Sequence, residues 1–164
     1  MSRKLTEDTP IGKALIDWWK DLENDTGGRA ELRRASRVLE ALMCPSFQRL
    51  QRRLAAISPE MFGKGYQLDR LAMACALMAH VKARSELSLP KAMSHRAPGV
   101  ERNPVSELRF KRLLESPDDE ALFSGLRRTL PLIDRTVDLL SLASAVLFWG
   151  DGIKRDWAYE YEWL

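Results

Sequence analysis

The stretch Gln67-Leu68-Asp69-Arg70-Leu71-Ala72-Met73-Ala74-Cys75-Ala76-Leu77-Met78-Ala79-His80-Val81-Lys82 decides the fold. From Leu71 to Val81 only His80 is not apolar. A helix that is apolar on nearly every side has no face to give to water, so this segment reads as a buried central helix. The rest of the chain must then supply the helices that cover it, and no alternating strand pattern of useful length competes.

Working outward toward the N-terminus, Thr9 followed by Pro10 is an N-cap with proline at the first helical position. Ile11, Leu15, Trp18 and Leu22 recur from there at helical spacing, and of Trp18 and Trp19 one is expected in the core and one at an interface. Asn24 to Gly28 has turn chemistry. Arg29 to Met43 reads as a second helix stopped near Pro45. Ser46 to Ile57 reads as a third, with Phe47, Leu50, Leu54 and Ile57 on its apolar stripe. Ser58 to Gly65 reads as a loop.

Toward the C-terminus, Arg84 to Pro104 is irregular, with a short helix expected near Lys91 to His95. Ser106 to Glu115 is helical, with Leu108, Leu114 and Phe110 expected inward. Ser116-Pro117-Asp118-Asp119-Glu120 is a helix start, with a cap, a proline in the first turn and acids at the positive end of the dipole. That helix runs to about Leu130, and Pro131 opens another bearing Ile133, Val137, Leu140 and Leu147. After Gly150-Asp151-Gly152 a final aromatic helix runs from Ile153 to Leu164. The expected class is all-α, two small helical bundles packed together: residues 1–84 an N-terminal lobe, 85–105 a hinge, 106–164 a C-terminal lobe.

Composition narrows the function. The chain has 164 residues, 45% apolar and 30% charged, ordinary for a globular protein with a core of its own. No apolar run approaches ~20 residues, so no membrane span is expected. Met1 to Asp8 carries charge where a secretory leader would be apolar. Cys44 and Cys75 stand alone, which fits two free thiols in a reducing cytoplasm and no zinc site. The net charge of +3 is unevenly spread: Arg29 to Ala56 holds seven basic and two acidic residues, Thr136 to Leu164 two basic and five acidic. Arginines are 18 of the 26 basic residues, and a guanidinium fork suits phosphate better than an ammonium does. A polyanion partner and a merely solubilising helix face both fit that charge.

Four basic constellations follow. Arg29, Arg33 and Arg37, with Arg34 beside them, step by four on one helix, a repulsive spacing that an anion would relieve and that Glu31 and Glu40 could also offset. Arg109 and Arg112 share one side of their helix, with Lys111 on another. Arg127 and Arg128 end a helix, where cations complement the macrodipole without any ligand. Lys154 and Arg155 follow Phe148-Trp149-Gly150-Asp151-Gly152, whose glycines read as helix capping rather than a nucleotide loop, since no strand precedes them. Trp149, Trp157 and Trp163 are expected to pack the C-terminal bundle. Catalytic readings find no support: His80 sits in an apolar helix, His95 has no nucleophile near it, and Asp118, Asp119 and Glu120 diverge and act as caps. No catalytic residue, metal or cofactor is expected.

Several segments in order resemble the CasB family, the small subunit of the type I-E CRISPR Cascade complex. They are Gly28-Arg29-Ala30-Glu31-Leu32-Arg33-Arg34 after a Trp-bearing first helix, Ser106 to Leu114, Leu122-Phe123-Ser124-Gly125-Leu126-Arg127-Arg128-Thr129-Leu130-Pro131, and Phe148 to Tyr161. The resemblance implies an all-helical, non-enzymatic, cytoplasmic antiviral-defence subunit. Its implied partners are the other Cascade subunits, backbone and large, together with the guide RNA, the target DNA and a second copy of itself. It also implies a basic surface following nucleic-acid backbone, carried here by Arg33, Arg34, Arg109, Arg112, Arg127, Arg128, Lys154 and Arg155. The alternative is a free-standing helical DNA-binding regulator with Arg29 to Arg37 on its recognition helix. Ala30, Leu32 and Ala35 are poor base readers for that role.

Overall fold

The central helix forms as its composition demands. In the computed structural model, which describes residues 4–164, α6 (Tyr66–His80) is surrounded, and each residue from Leu71 to Ala79 is 0% exposed. The reading of Met1 to Asp8 as lacking an apolar leader falls partly on Met1 to Arg3, outside the described residues. Before α6 come α1 (Pro10–Asp21), α2 (Thr26–Arg34), α3 (Val38–Leu42), α4 (Pro45–Ile57) and the short α5 (Pro59–Phe62). After it come β1 (Ala83–Arg84), α7 (Leu89–Met93), α8 (Glu107–Leu114) and α9 (Asp119–Thr129). A 3₁₀ turn (Leu130–Ile133), β2 (Thr136–Val137), α10 (Leu139–Leu147) and α11 (Asp151–Glu160) complete the chain. The fold is all-α; the only β structure among the described residues is the two-residue parallel pairing of β1 with β2. No helix among them is long and apolar enough to cross a membrane.

Helices α2, α3, α4, α9 and α10 all pack on α6, and α1 lies across α4 and α10. Long-range hydrogen bonds tie distant parts of the sequence together. Leu5 N donates to Ser144 Oγ at 2.8 Å, Trp18 Nε1 to the Ser46 carbonyl at 3.1 Å, and Trp19 Nε1 to the Met78 carbonyl at 3.0 Å. Trp18 is buried and Trp19 half-buried. Arg70 reaches the Leu147 and Trp149 carbonyls at 3.4 and 3.0 Å, satisfying the open C-terminal end of α10.

Several local expectations need correction. Thr9 caps α1, its hydroxyl accepting from Gly12 N at 3.1 Å, but Gly27 and Gly28 lie within α2 rather than in a turn, because Asp25 accepts from Gly28 N at 3.1 Å and starts the helix early. The helix expected over Arg29–Met43 breaks at Ala35, whose ψ of 118° is not helical, and Arg37 is extended. Glu120 drives the restart, accepting from the Val38 amide at 3.0 Å as a cap supplied by another helix. The stretch after Pro131 is a 3₁₀ turn, a strand and only then a helix, because Asp134 and Arg135 adopt left-handed φ of 56° and 52° and Asp138 caps α10. A left-handed residue other than glycine costs roughly 1–2 kcal/mol. The two are held by Arg135 N on the Leu130 carbonyl and by the Arg135 carbonyl under Lys82 N, both at 2.9 Å.

The start of α9 is two residues later than expected. Asp118, not Ser116, caps it, accepting from Ala121 N at 2.8 Å. In α8 the inward face is Phe110 and Leu113, and Leu108 is 58% exposed. Phe110 fixes that phase: its ring stacks on Tyr161 at 4.1 Å and lies near Trp157 and Trp163. Ile57 leaves the stripe of α4 and is exposed, while Phe47, Leu50 and Leu54 are buried. The last helix ends at Glu160, so Tyr161 to Leu164 form an extended tail.

Candidate nucleic-acid interface

Helix α8 starts at Ser106, whose hydroxyl accepts from Arg109 N at 3.3 Å. With Phe110 and Leu113 turned inward, Arg109 and Arg112 are left on the outer side at i,i+3 spacing. Helix α9 passes alongside, with Gly125 facing Leu113. A Cβ there would lie 2.7 Å from Leu113 Cδ2. The two helices thus frame an open groove of about 400 Å³ lined by Arg109, Arg112 and Arg128, with Ser116 and Thr129 among its polar walls. Arg109, Arg112 and Arg128 are all exposed. Arg128 reaches Ser124 Oγ at 2.7 Å, and among the described residues none of the three is in an ion pair. Three guanidinium groups without an ion-pair partner along one groove have the charge and fork geometry that suit phosphate oxygens.

A second basic group gathers where α2, α6 and α9 converge. Arg127 is half-buried, its Nη2 donating to the Arg33 carbonyl at 3.3 Å and its guanidinium 5.8 Å from the Phe123 ring centre. Arg127, expected on a basic surface, instead closes the C-terminal end of α2, a position a cation favours. Arg29 Nε donates to the Ala79 carbonyl at 3.4 Å. Burial of Arg33, followed by the charges of Arg135 and Arg29, lowers its pKa. Burial of the His80 ring, then the charges of Arg127, Arg33 and Arg135, holds its pKa down to about 4. So His80 is partly buried, as its place in an apolar helix implies, and it stands among arginines.

The remaining expected positions are not in either group. Arg34 is exposed in the last turn of α2. Lys154 is half-buried with its Nζ 5.9 Å from the Trp149 ring centre. Arg155 is exposed and lines a different cavity, whose wall also carries Lys91, Glu86, Asp138, Asp156 and Glu160. That mixed charge is a weak setting for a polyanion. Arg37, expected in step with Arg29 and Arg33, lies beyond the break in α2. Arg135 was not among the expected positions: it lies in the left-handed turn before β2, its charge acts on Arg33 and His80, and its surroundings in the sequence read as helix. Trp149, Trp157, Tyr161 and Trp163 pack together, with ring centres 5.0 Å apart in the Trp149–Trp157 and Tyr161–Trp163 pairs. Among the described residues no three His, Cys, Asp or Glu side chains are gathered so as to hold a metal ion.

Comparison with known proteins bears on this geometry. Residues 28–161 match the family model described as CRISPR-associated protein Cse2. A chain of the crystal structure of E. coli Cascade bound to a PAM-containing double-stranded DNA target has the same fold. Its TM-score is 0.66 at 22% identity, covering 91% of this chain and 94% of that one. No curated protein matches.

Proposed function

The chain belongs to the Cse2 family, the family named CasB above, and from that membership we propose that it is a non-catalytic small subunit of a type I-E Cascade complex that binds nucleic-acid backbone. The observation that carries the reading is the groove of Arg109, Arg112 and Arg128 between α8 and α9. In an RNA-guided complex, base pairing reads the sequence, and the protein need read only shape and charge. Exchanging DNA–DNA for RNA–DNA pairing is close to balanced in energy, so a few arginine–phosphate contacts to an opened strand tip the exchange toward the open state. The partners are then the backbone and large subunits, the guide RNA, the target DNA and a second copy of this chain.

Arg33 and Arg34 on α2, Arg127 on α9, and Lys154 and Arg155 on α11 are further contact positions of the proposal, outside the groove. The free-standing regulator is disfavoured by α2 itself, which has only nine residues and loses Arg37 from its face. Reconstitution of the complex with and without this chain tests the proposal. Omitting it should weaken target-DNA binding while leaving the guide-pairing rules unchanged. Equal target binding by both assemblies would remove the reading.

A further inference from the structure

The tail from Tyr161 to Leu164 leaves α11 and lies along α8 and the segment before it. Tyr161 is 2% exposed, and its hydroxyl donates to the Val105 carbonyl at 2.7 Å. Asn103 Nδ2 donates to the Tyr161 hydroxyl at 3.0 Å and to the Glu162 carbonyl at 2.9 Å. Glu162 N donates to Ser94 Oγ at 2.9 Å, and the Glu162 carboxylate pairs with Arg96 at 3.2 Å. Trp163 sets its ring edge-on to Phe110, with centres 5.5 Å apart, and Lys111 Nζ lies 5.8 Å from the Trp163 ring centre. Leu164 N donates to Glu107 Oε2 at 2.7 Å. Each residue of the tail thus holds either α8 or the segment that leads into it.

Helix α8 needs such support. It has eight residues, and a helix of that length is marginal in water without packing. Among the helices it lies against α9, with Leu113 near Gly125. The tail meets it at Glu107, Phe110 and Lys111, which fall on one side of its two turns. At about 100° per residue, Arg109 and Arg112 fall on the opposite side, where they line the groove with Arg128 of α9. Whatever fixes the pose of α8 therefore fixes two of the three guanidinium groups relative to the third.

We propose that the tail is a strap that sets the groove: Glu162, Trp163 and Leu164 are positioning residues that hold Arg109 and Arg112 at the spacing from Arg128 at which one nucleic-acid strand meets all three. The proposal rests on the backbone-binding function above and says how its site is kept in shape. None of the three tail residues lines the groove, so they act through α8. An unstrapped α8 keeps its charges but scatters them. Contacts to successive phosphates are then no longer made together, and fewer counterions are released on binding.

Removing residues 162–164 leaves Tyr161 to stack on Phe110 and takes away the ties beyond it. If Arg109 and Arg112 then lose their phosphates, the slope of log affinity against log salt for a single strand flattens by about 1.4, at roughly 0.7 per phosphate. Over a fourfold rise in salt that is a factor of about 7. Because the tail acts through these arginines, its effect must vanish where they are already gone.

The test compares the full chain with the chain ending at Tyr161 in two readouts. The first is fluorescence anisotropy with a labelled single-stranded oligonucleotide across salt concentrations, with and without the pair Arg109→Ala and Arg112→Ala. The second is the distance distribution between spin labels at Leu108→Cys and Glu60→Cys, both exposed positions; Cys44 and Cys75 are buried and stay unlabelled. The truncation should flatten the slope by about 1.4, broaden the distance distribution, and change nothing further where both arginines are already alanine. Trp163 is 40% exposed, so Trp163→Ala should spare the fold and give part of the same loss, and Trp163→Phe should restore binding. These two variants carry the test if the truncated chain does not fold. A folded truncation with the wild-type slope, or with an unchanged distance distribution, overturns the proposal. An equal loss with and without the two arginines also overturns it, since the tail would then act other than through them. A slope flattened by the arginine pair but not by the truncation removes the strap and keeps the groove. A slope unchanged by the arginine pair in a folded chain removes the groove reading, and the strap with it.

Discussion

Replacing Arg109, Arg112 and Arg128 together by alanine is the sharpest perturbation of the groove. All three line it, and none is in an ion pair among the described residues. If each neutralises one phosphate, the slope of log affinity against log salt should flatten by about 2.7 for duplex DNA, at roughly 0.9 per phosphate. For a single strand, at roughly 0.7 per phosphate, the change is about 2.1. Over a fourfold rise in salt, a slope of about 2.7 is a factor of about 40, so the wild-type advantage on duplex should shrink by that much. The side chains are exposed, and removing the Arg109–Arg112 repulsion relieves about 0.2–0.5 kcal/mol, so the melting temperature should hold or rise slightly. Fluorescence anisotropy with labelled duplex and single strand at several salt concentrations measures the slope, and circular dichroism measures the melt. An unchanged slope in a folded variant refutes the groove assignment. A slope lost only where the variant has melted does so too.

Phe110→Ala should cost about 3–5 kcal/mol by emptying the space beneath Tyr161, Trp157 and Trp163, lowering the melting temperature by roughly 6–20 °C; a melt within 2 °C or so of wild type contradicts that packing. Asp25→Ala should cost about 1 kcal/mol at neutral pH through the lost cap of α2. The pKa of Asp25 is lowered by its Ser46 hydrogen bond, then by Gly28 N, so that stability is present above the unfolded carboxylate value and is lost as pH falls through the folded one. The difference between wild type and variant in urea melts should therefore shrink below about pH 4. Incubation with DNA or RNA and Mg²⁺ or Mn²⁺ should yield no cleavage; specific cleavage abolished by changing one acid would contradict a non-catalytic subunit.

The parts of the fold that were legible in the sequence are those decided locally. The apolar run of α6 has only one way to avoid water, and Thr9-Pro10 starts a helix with its own side chain. The parts that were not are decided by residues far along the chain. The break after Arg34 depends on Glu120 capping Val38, 82 residues away. Phe110 was expected inward and is buried, but the outward turn of Leu108 follows from Phe110 stacking on Tyr161, in the C-terminal tail. The same division holds at the candidate site. Arg109 and Arg112 were legible as a helical pair, but their meeting with Arg128 depends on how α9 packs beside α8, which no local pattern announces. The arginines whose charges act on His80 come from α2, α9 and a left-handed turn, and the sequence around it shows none of them.

In the proposed role the α8–α9 groove touches nucleic acid within an assembled complex. The direct measurement is photocrosslinking from the groove: Arg128→p-benzoylphenylalanine, incorporated into a reconstituted complex and irradiated with strand-labelled target DNA bound. Crosslinks are expected from this position to target DNA or guide RNA, suppressed by high salt, while the same substitution at Glu60, in α5, gives none. Efficient incorporation with crosslinks to protein subunits alone, or equal crosslinking from positions 128 and 60, would contradict it.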